Sequence, residues 1–399
     1  MTLTPASPLR ASVSARAVAS GLQMCAPATP IEALSAACWR SRAAAHRARV
    51  LTLTGGALAA DPLETNQQRA AGRRRAEHPV YNFLFTYYSF DPNLLLKYSP
   101  GLGVTLLGVG PTEPHLYTGR GWREHLNRGR GAMDARQCKA GVRKAARTAA
   151  EVMRLSGSRQ PHLDCTRGAP HALARVHHLA TRHPEIAYAP LPAVDSGYGL
   201  HEWAMLYAPD ATTAQPNKHQ KLPLRLTQAE LNAVVEATPI ACTHFDAYRF
   251  FTPDALPLNT VRPLPSRQTQ SAQEQPGCVH ASMDLFRYAV KLWPYLPSEL
   301  LADALELAIA ARVLDMRASP YDLSAWHAEA PATGAAADGA GGGFDFTPVR
   351  IETAAGRREY QREQVALASR AKPVRRRMLA AYEMAMAVWD HDEEQGEEQ

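Results

Sequence analysis

Between Gly199 and Leu323 the chain sets histidines, carboxylates and arginines inside aromatic and apolar sequence. GLHEWAM places His201 and Glu202 beside Trp203, and CTHFDAYRFF places His244, Asp246 and Arg249 among Phe245, Tyr248, Phe250 and Phe251. EQPGCVHASMDLFRYAVKL supplies Glu274, Gln275, His280, Asp284 and Arg287, and LDMRASPYDL adds Asp315, Arg317 and Asp322. A charge taken out of water needs a partner, so such groups either pair with one another or line a cleft. Both outcomes bring them together in space.

Two chemistries fit these residue types. The first is metal binding. His280 and Asp284 stand four apart and share one face if their segment is helical, where they can ligate an ion or where the carboxylate can orient the imidazole as a base. An ordinary helical hydrogen bond or an Asp284–Arg287 ion pair fits the same spacing. The order Cys-x-His followed by Asp occurs twice, at Cys242, His244, Asp246 and at Cys278, His280, Asp284, a pattern suggestive of a metal site although the spacing is not one of zinc. Ligands for a small-molecule metalloenzyme would come from His201, Glu202, His244, Asp246, His280 and Asp284, with the ion itself unknown.

The second is recognition of a flipped nucleobase, which needs aromatic walls, a few hydrogen-bonding groups and a carboxylate near the sugar. An alkylated purine is cationic, so stacking on Trp or Tyr adds about 0.5–2 kcal/mol. Such a base is already a good leaving group, and the protein need only steady the oxocarbenium charge with a carboxylate. Asp246 or Asp284 could do so beside Trp203, Tyr248 or Phe250, and no cofactor is required. A third possibility is a non-enzymatic helical binding protein in which each ion pair is structural.

The elements that must position these groups read as helices. Thr227 and Glu230 form a capping-box pair ahead of Leu231, Val234 and Val235, with Pro239 as the stop. Ser298 and Glu299 open a longer helix with Leu301, Leu305, Ala308 and Ile309 as its apolar stripe and Pro320 as its limit. A helix is also expected over 134–156, and residues 31–48 and 353–389 have helical composition. GVTLLGVG after Gly101 predicts a short buried strand, and the six aromatic rings between Tyr81 and Phe90 are too many for a surface loop. The fold class expected is mainly α: an irregular multi-helix domain with at most one small β-sheet.

The organisation expected is a transit peptide over 1–30, an N-terminal helix and linker over 31–77, and a main helical domain over 78–330 with an insertion at 160–196. A flexible insertion over 331–346, a C-terminal helical segment over 347–389 and an acidic tail over 390–399 follow. The first 30 residues hold Arg10 and Arg16, no acid and no lysine, and are rich in Ser, Thr and Ala, which predicts delivery to the chloroplast, with the mitochondrion as the alternative.

With 399 residues, 46% of them apolar and 21% charged, the chain has ample length for a core and too much apolar content for wholesale disorder. No run of eighteen apolar residues predicts a membrane partner. The net charge of +6 is unevenly placed: ten arginines face three acids up to Ala76, whereas 34 basic and 35 acidic residues follow. The basic excess therefore belongs to the front of the chain, and the near-neutral body gives no global argument for DNA. Six cysteines without a C-x-x-C pair indicate neither a disulfide scaffold nor a zinc ribbon.

HPVYNFLFTYYSF, GLHEWAM, PIACTHFDAYRFFTPDALPLNT, EQPGCVHASMDLFRYAVKL and PSELLADALELAIAARVLDMRASPYDL, taken in that order, resemble a family common in actinobacteria and present in photosynthetic eukaryotes, named 3-methyladenine DNA glycosylase. The resemblance runs over roughly Trp39 to Tyr382, apart from the insertions. It implies hydrolysis of the N-glycosidic bond of alkylated adenine in base-excision repair, with DNA as partner. In that reaction Asp246 and Asp284 are the carboxylate candidates, with His201, Glu202, His244 and His280 near them. Trp203, Tyr248 and Phe250 would be stacking walls, and Arg249, Arg287, Arg317, Glu274 and Gln275 would contact the substrate.

Overall fold

Ser35 accepts the amide N–H of Cys38 and so caps the first helix, α1 (Ala36–Leu53). The three residues before it are extended, and this is where the expected strand finds its partner. β1 (Glu32–Leu34) runs parallel to β2 (Val104–Leu106), pairing Glu32 with Val104 and Leu34 with Leu106. The computed structural model describes residues 32–54, 78–88, 92–101, 104–110, 113, 115–116, 199–210, 222–275, 277–294, 296–327 and 344–396. The predicted transit segment, the 134–156 helix and the 160–196 insertion lie outside the described residues.

From Gly199 onward the helices are α2 (His201–Ala204), α3 (Gln228–Ala237), α4 (Phe245–Tyr248), α5 (Gln270–Gln273), α6 (Val279–Leu292), α7 (Ser298–Ala318), α8 (Ser324–His327) and α9 (Ala354–Gly396). The described residues thus form a mainly α fold with one two-stranded sheet. α3 begins with the predicted capping box: Thr227 accepts from the Glu230 amide, and the Glu230 carboxylate accepts from that of Thr227. No described helix is long and apolar enough to cross a membrane.

The core is built on α6 packed against α7, with α9 lying on both and α1 on α7. Leu301, Leu305, Ala308 and Ile309 are all buried as their spacing predicts, and each fully buried large apolar side chain contributes about 1.5–3 kcal/mol. α7 is buried on so many sides that Arg312 and Asp315 lie in the interior too. Arg49 of α1 pairs with Asp303 and Glu306 of α7 at 2.6 Å each.

Two expectations of organisation change. Phe344 and Phe346, within the predicted flexible insertion, pack their rings at 5.6 and 6.1 Å from that of His78, because an aromatic pair at the edge of a Gly/Ala stretch still gains by burial. The C-terminal helix also runs past Trp389 to Gly396, into the predicted acidic tail. The aromatic run near Tyr81 forms a π-helical segment, Phe83–Tyr87, that packs against the site rather than standing in a loop.

A candidate metal centre

Each site histidine is delivered by a different device. At Gly199 the backbone takes φ of +77°, open to glycine at little cost, and turns directly into α2, where His201 and Glu202 are the first two residues. His244 stands in extended conformation just ahead of α4, with Asp246 in the first turn of that helix. Asn259 holds this segment by pairing with Cys242, accepting its N–H at 2.8 Å and donating to its C=O at 3.0 Å. His280 and Asp284 lie one turn apart on α6, and Arg312 and Asp315 lie on one face of α7.

These groups converge as two buried clusters. In the first, His201 Nε2 lies 2.7 Å from Asp315 Oδ1, and Arg312 donates to both Asp315 and Glu202, the latter at 2.8 Å. The guanidinium of Arg312 also stacks on Phe83 at 4.2 Å. In the second, His244 Nε2 lies 3.2 Å from Asp284 Oδ2 and 3.7 Å from Glu274 Oε1. Tyr88 donates to Asp284 Oδ1 at 3.3 Å, and Arg287 lies 3.8 Å from the same oxygen.

His280 joins the clusters. Its ring meets His201 edge-on with centroids 4.6 Å apart and lies nearly parallel to His244 at 4.9 Å. Ligand-type atoms of His201, His280 and Asp315 lie within 4.8 Å of one another, and so do those of His244, Glu274 and Asp284. The pair at i, i+4 on α6 is therefore divided: His280 belongs with Asp315, and Asp284 with His244. Side chains one turn apart on a helix face the same way but can still be taken by different neighbours.

The electrostatics follow from burial. Desolvation alone would lower the His201 pKa, but the charge and hydrogen bond of Asp315 overcome it and raise it. Burial sets the Asp315 carboxyl against ionisation, and His201 and Arg312 hold it well below the usual carboxylate range nonetheless. His280 is driven well below the ordinary imidazole value by burial and then by its two histidine neighbours, so it is neutral near pH 7. Cys278 Sγ lies 4.0 Å from His280 Nδ1, but burial pushes the Cys242 and Cys278 thiols up to about 12. Neither thiol belongs to the two three-donor clusters, whose donors are imidazole and carboxylate.

The outer edge of the second cluster is cationic. Asp246 receives Arg287 at 3.1 Å, Arg249 at 3.2 Å and Arg267 at 3.9 Å. Arg249 lies over the half-buried Phe250 ring at 4.3 Å.

Several predicted substrate contacts take other roles. Trp203 is fully buried, its indole N–H donates to Ala318 C=O at 2.9 Å, and Arg225 lies over the ring, so it is a side chain of the core rather than an open wall. Tyr248 is buried against Phe251. Arg317 pins α7 to α9 through Glu359 and Glu363, and Gln275 turns back to the Gln273 carbonyl at 3.2 Å. Arg317 and Gln275 bind these groups because they emerge from their elements on sides that the sequence alone does not specify.

Sequence reasoning passed over Arg312, Arg267 and Tyr88. A signal existed for the first: Arg312 and Asp315 stand three apart inside an otherwise Ala/Leu-rich helix stripe. Comparison with known proteins finds no family model, curated protein or solved structure that matches this chain.

Proposed function

We propose that this protein is a metal-dependent enzyme acting on a small molecule, with two adjacent cation sites formed by His201, His280 and Asp315 and by His244, Glu274 and Asp284. The observation that carries this reading is the pair of three-donor clusters abutting through the His280 ring. Burial supports it: Glu274, Asp284 and Asp315 are carboxylates withdrawn from water, and a carboxylate held there is stabilised by a cation.

The mixed imidazole and carboxylate donors suit a first-row divalent metal better than calcium or magnesium. Such an ion supplies a polarising charge and an activated water at neutral pH. The chain's own part is to orient the donors through Arg312, Tyr88 and Arg287, which fix Asp315 and Asp284 from outside.

Elemental analysis of the purified full chain tests this directly. Two first-row ions per chain are expected, with cobalt(II) restoring a visible absorption to metal-free protein that His244→Ala or Asp315→Asn diminishes. Purified protein without metal, and without a cobalt spectrum on reconstitution, ends the proposal whether or not the variants fold.

A second reading, N-glycosidic hydrolysis of alkylated adenine in DNA, rests on the family resemblance and draws support from the Arg249 and Arg267 rim beside Phe250 and Phe245. Release of 3-methyladenine from methylated duplex, lost in Asp284→Asn, supports it. No release, alongside metal-dependent turnover of small substrates, sets it aside.

A further inference from the structure

We infer that Arg249, Arg267 and Arg287 form an anion-binding subsite beside the metal centre, and that the substrate carries a phosphate or carboxylate group. The word substrate rests on the metalloenzyme reading; the anion site stands on the arginines themselves.

Three guanidiniums meet Asp246, and Arg287 reaches Asp284 as well, so the three cations outnumber the two carboxylates by one charge. Together they carry far more N–H donors than the two oxygens of Asp246 can accept, so Asp246 does not saturate them. What the carboxylate does is gather three like charges that would otherwise repel, at the cost of its own burial. Rings hold two of them further: Phe250 lies beneath Arg249 at 4.3 Å and Phe245 beneath Arg267 at 5.4 Å. A guanidinium stacked on a ring keeps its edge, where the donors are, free for a planar anion.

Exposure is graded along the set. Arg267 is 64% exposed, Arg249 37% and Arg287 25%, while Asp284 behind them is 2% exposed. Arg287 touches both Asp246 and Asp284, so the innermost arginine joins the rim to the His244 cluster. Arg287 links Asp246, which the outer two arginines meet, to Asp284 of the proposed cation site. Pre-organised donors of this kind bind phosphate or carboxylate bidentately without the entropy cost of collecting flexible side chains.

Titration of the full chain with inorganic phosphate and, separately, with succinate distinguishes the two anions. Each titration is run on metal-free and on metal-loaded protein and followed by calorimetry and arginine Nε–H resonances. Saturable binding of at least one anion in both forms is expected, weakened tenfold or more by Arg267→Gln and by Arg249→Gln. Arg377→Gln, at a surface pair with Asp303, should leave it unchanged. Absence of saturation by both anions, or equal weakening by Arg377→Gln, overturns the inference. Because the metal-free arm is read separately, a missing metal cannot be mistaken for a missing anion site.

Discussion

The imidazole of His280 lies almost parallel to that of His244, with centroids 4.9 Å apart and 19° between their planes. These residues are 36 positions apart in sequence, on different elements, and each heads a different donor cluster. The contact sets two groups of buried charge side by side, so the ion pairs around them carry structural weight.

Arg312 is the first place where that dependence can be measured. It is 1% exposed and bridges Glu202 and Asp315, so Arg312→Met leaves two buried carboxylates short of their counter-charge. A loss of about 3–5 kcal/mol is expected from urea unfolding. Adding Glu202→Gln and Asp315→Asn should recover more than half of it; a single variant costing under about 1 kcal/mol would contradict the pairing.

Gly199 tests how α2 is aimed. A Cβ there would sit at φ +77°, 3.1 Å from the Ala318 Cβ and 3.3 Å from the Tyr360 ring. Gly199→Ala should cost about 2 kcal/mol and, by shifting His201, weaken metal uptake at that site. Unaltered melting and unaltered metal content would show that the turn tolerates a side chain.

His78 predicts a pH dependence. Burial lowers its pKa to about 4, among Tyr81, Trp326, Phe344 and Phe346. Folding favours the neutral ring, so below about pH 6.5 the unfolded chain takes up a proton that the folded chain refuses. Stability therefore falls as pH drops from about 6.5 to about 4, by up to about 3 kcal/mol. His78→Asn keeps an acceptor for the Val80 amide and should flatten this part of the stability–pH curve. A slope identical to that of the parent protein would assign the effect to another group.

Thr227 offers a control away from the site. Its hydroxyl caps α3 by accepting from the Glu230 amide, and Thr227→Ala should cost about 1 kcal/mol. Metal content and phosphate binding should not move. Loss of either would mean that α3 passes the change on to α2, against which it packs.

The sequence by itself determined the helices that local chemistry punctuates. The Thr227 and Glu230 box, the apolar stripe from Leu301 to Ile309 and the mainly α character follow from capping and periodicity, which act over a few residues. It also raised the expectation that His201, His244, Asp246, His280 and Asp284 gather, since charge inside apolar sequence has to be compensated nearby. Only the tertiary structure decided which group meets which. The division of His280 and Asp284 between two clusters, the choice of Arg312 as the bridge to Glu202 and Asp315, and the withdrawal of Trp203 into the core depend on how α2, α6 and α7 pack. That packing is set by contacts between residues tens to more than a hundred positions apart, for which one chain carries no spacing rule.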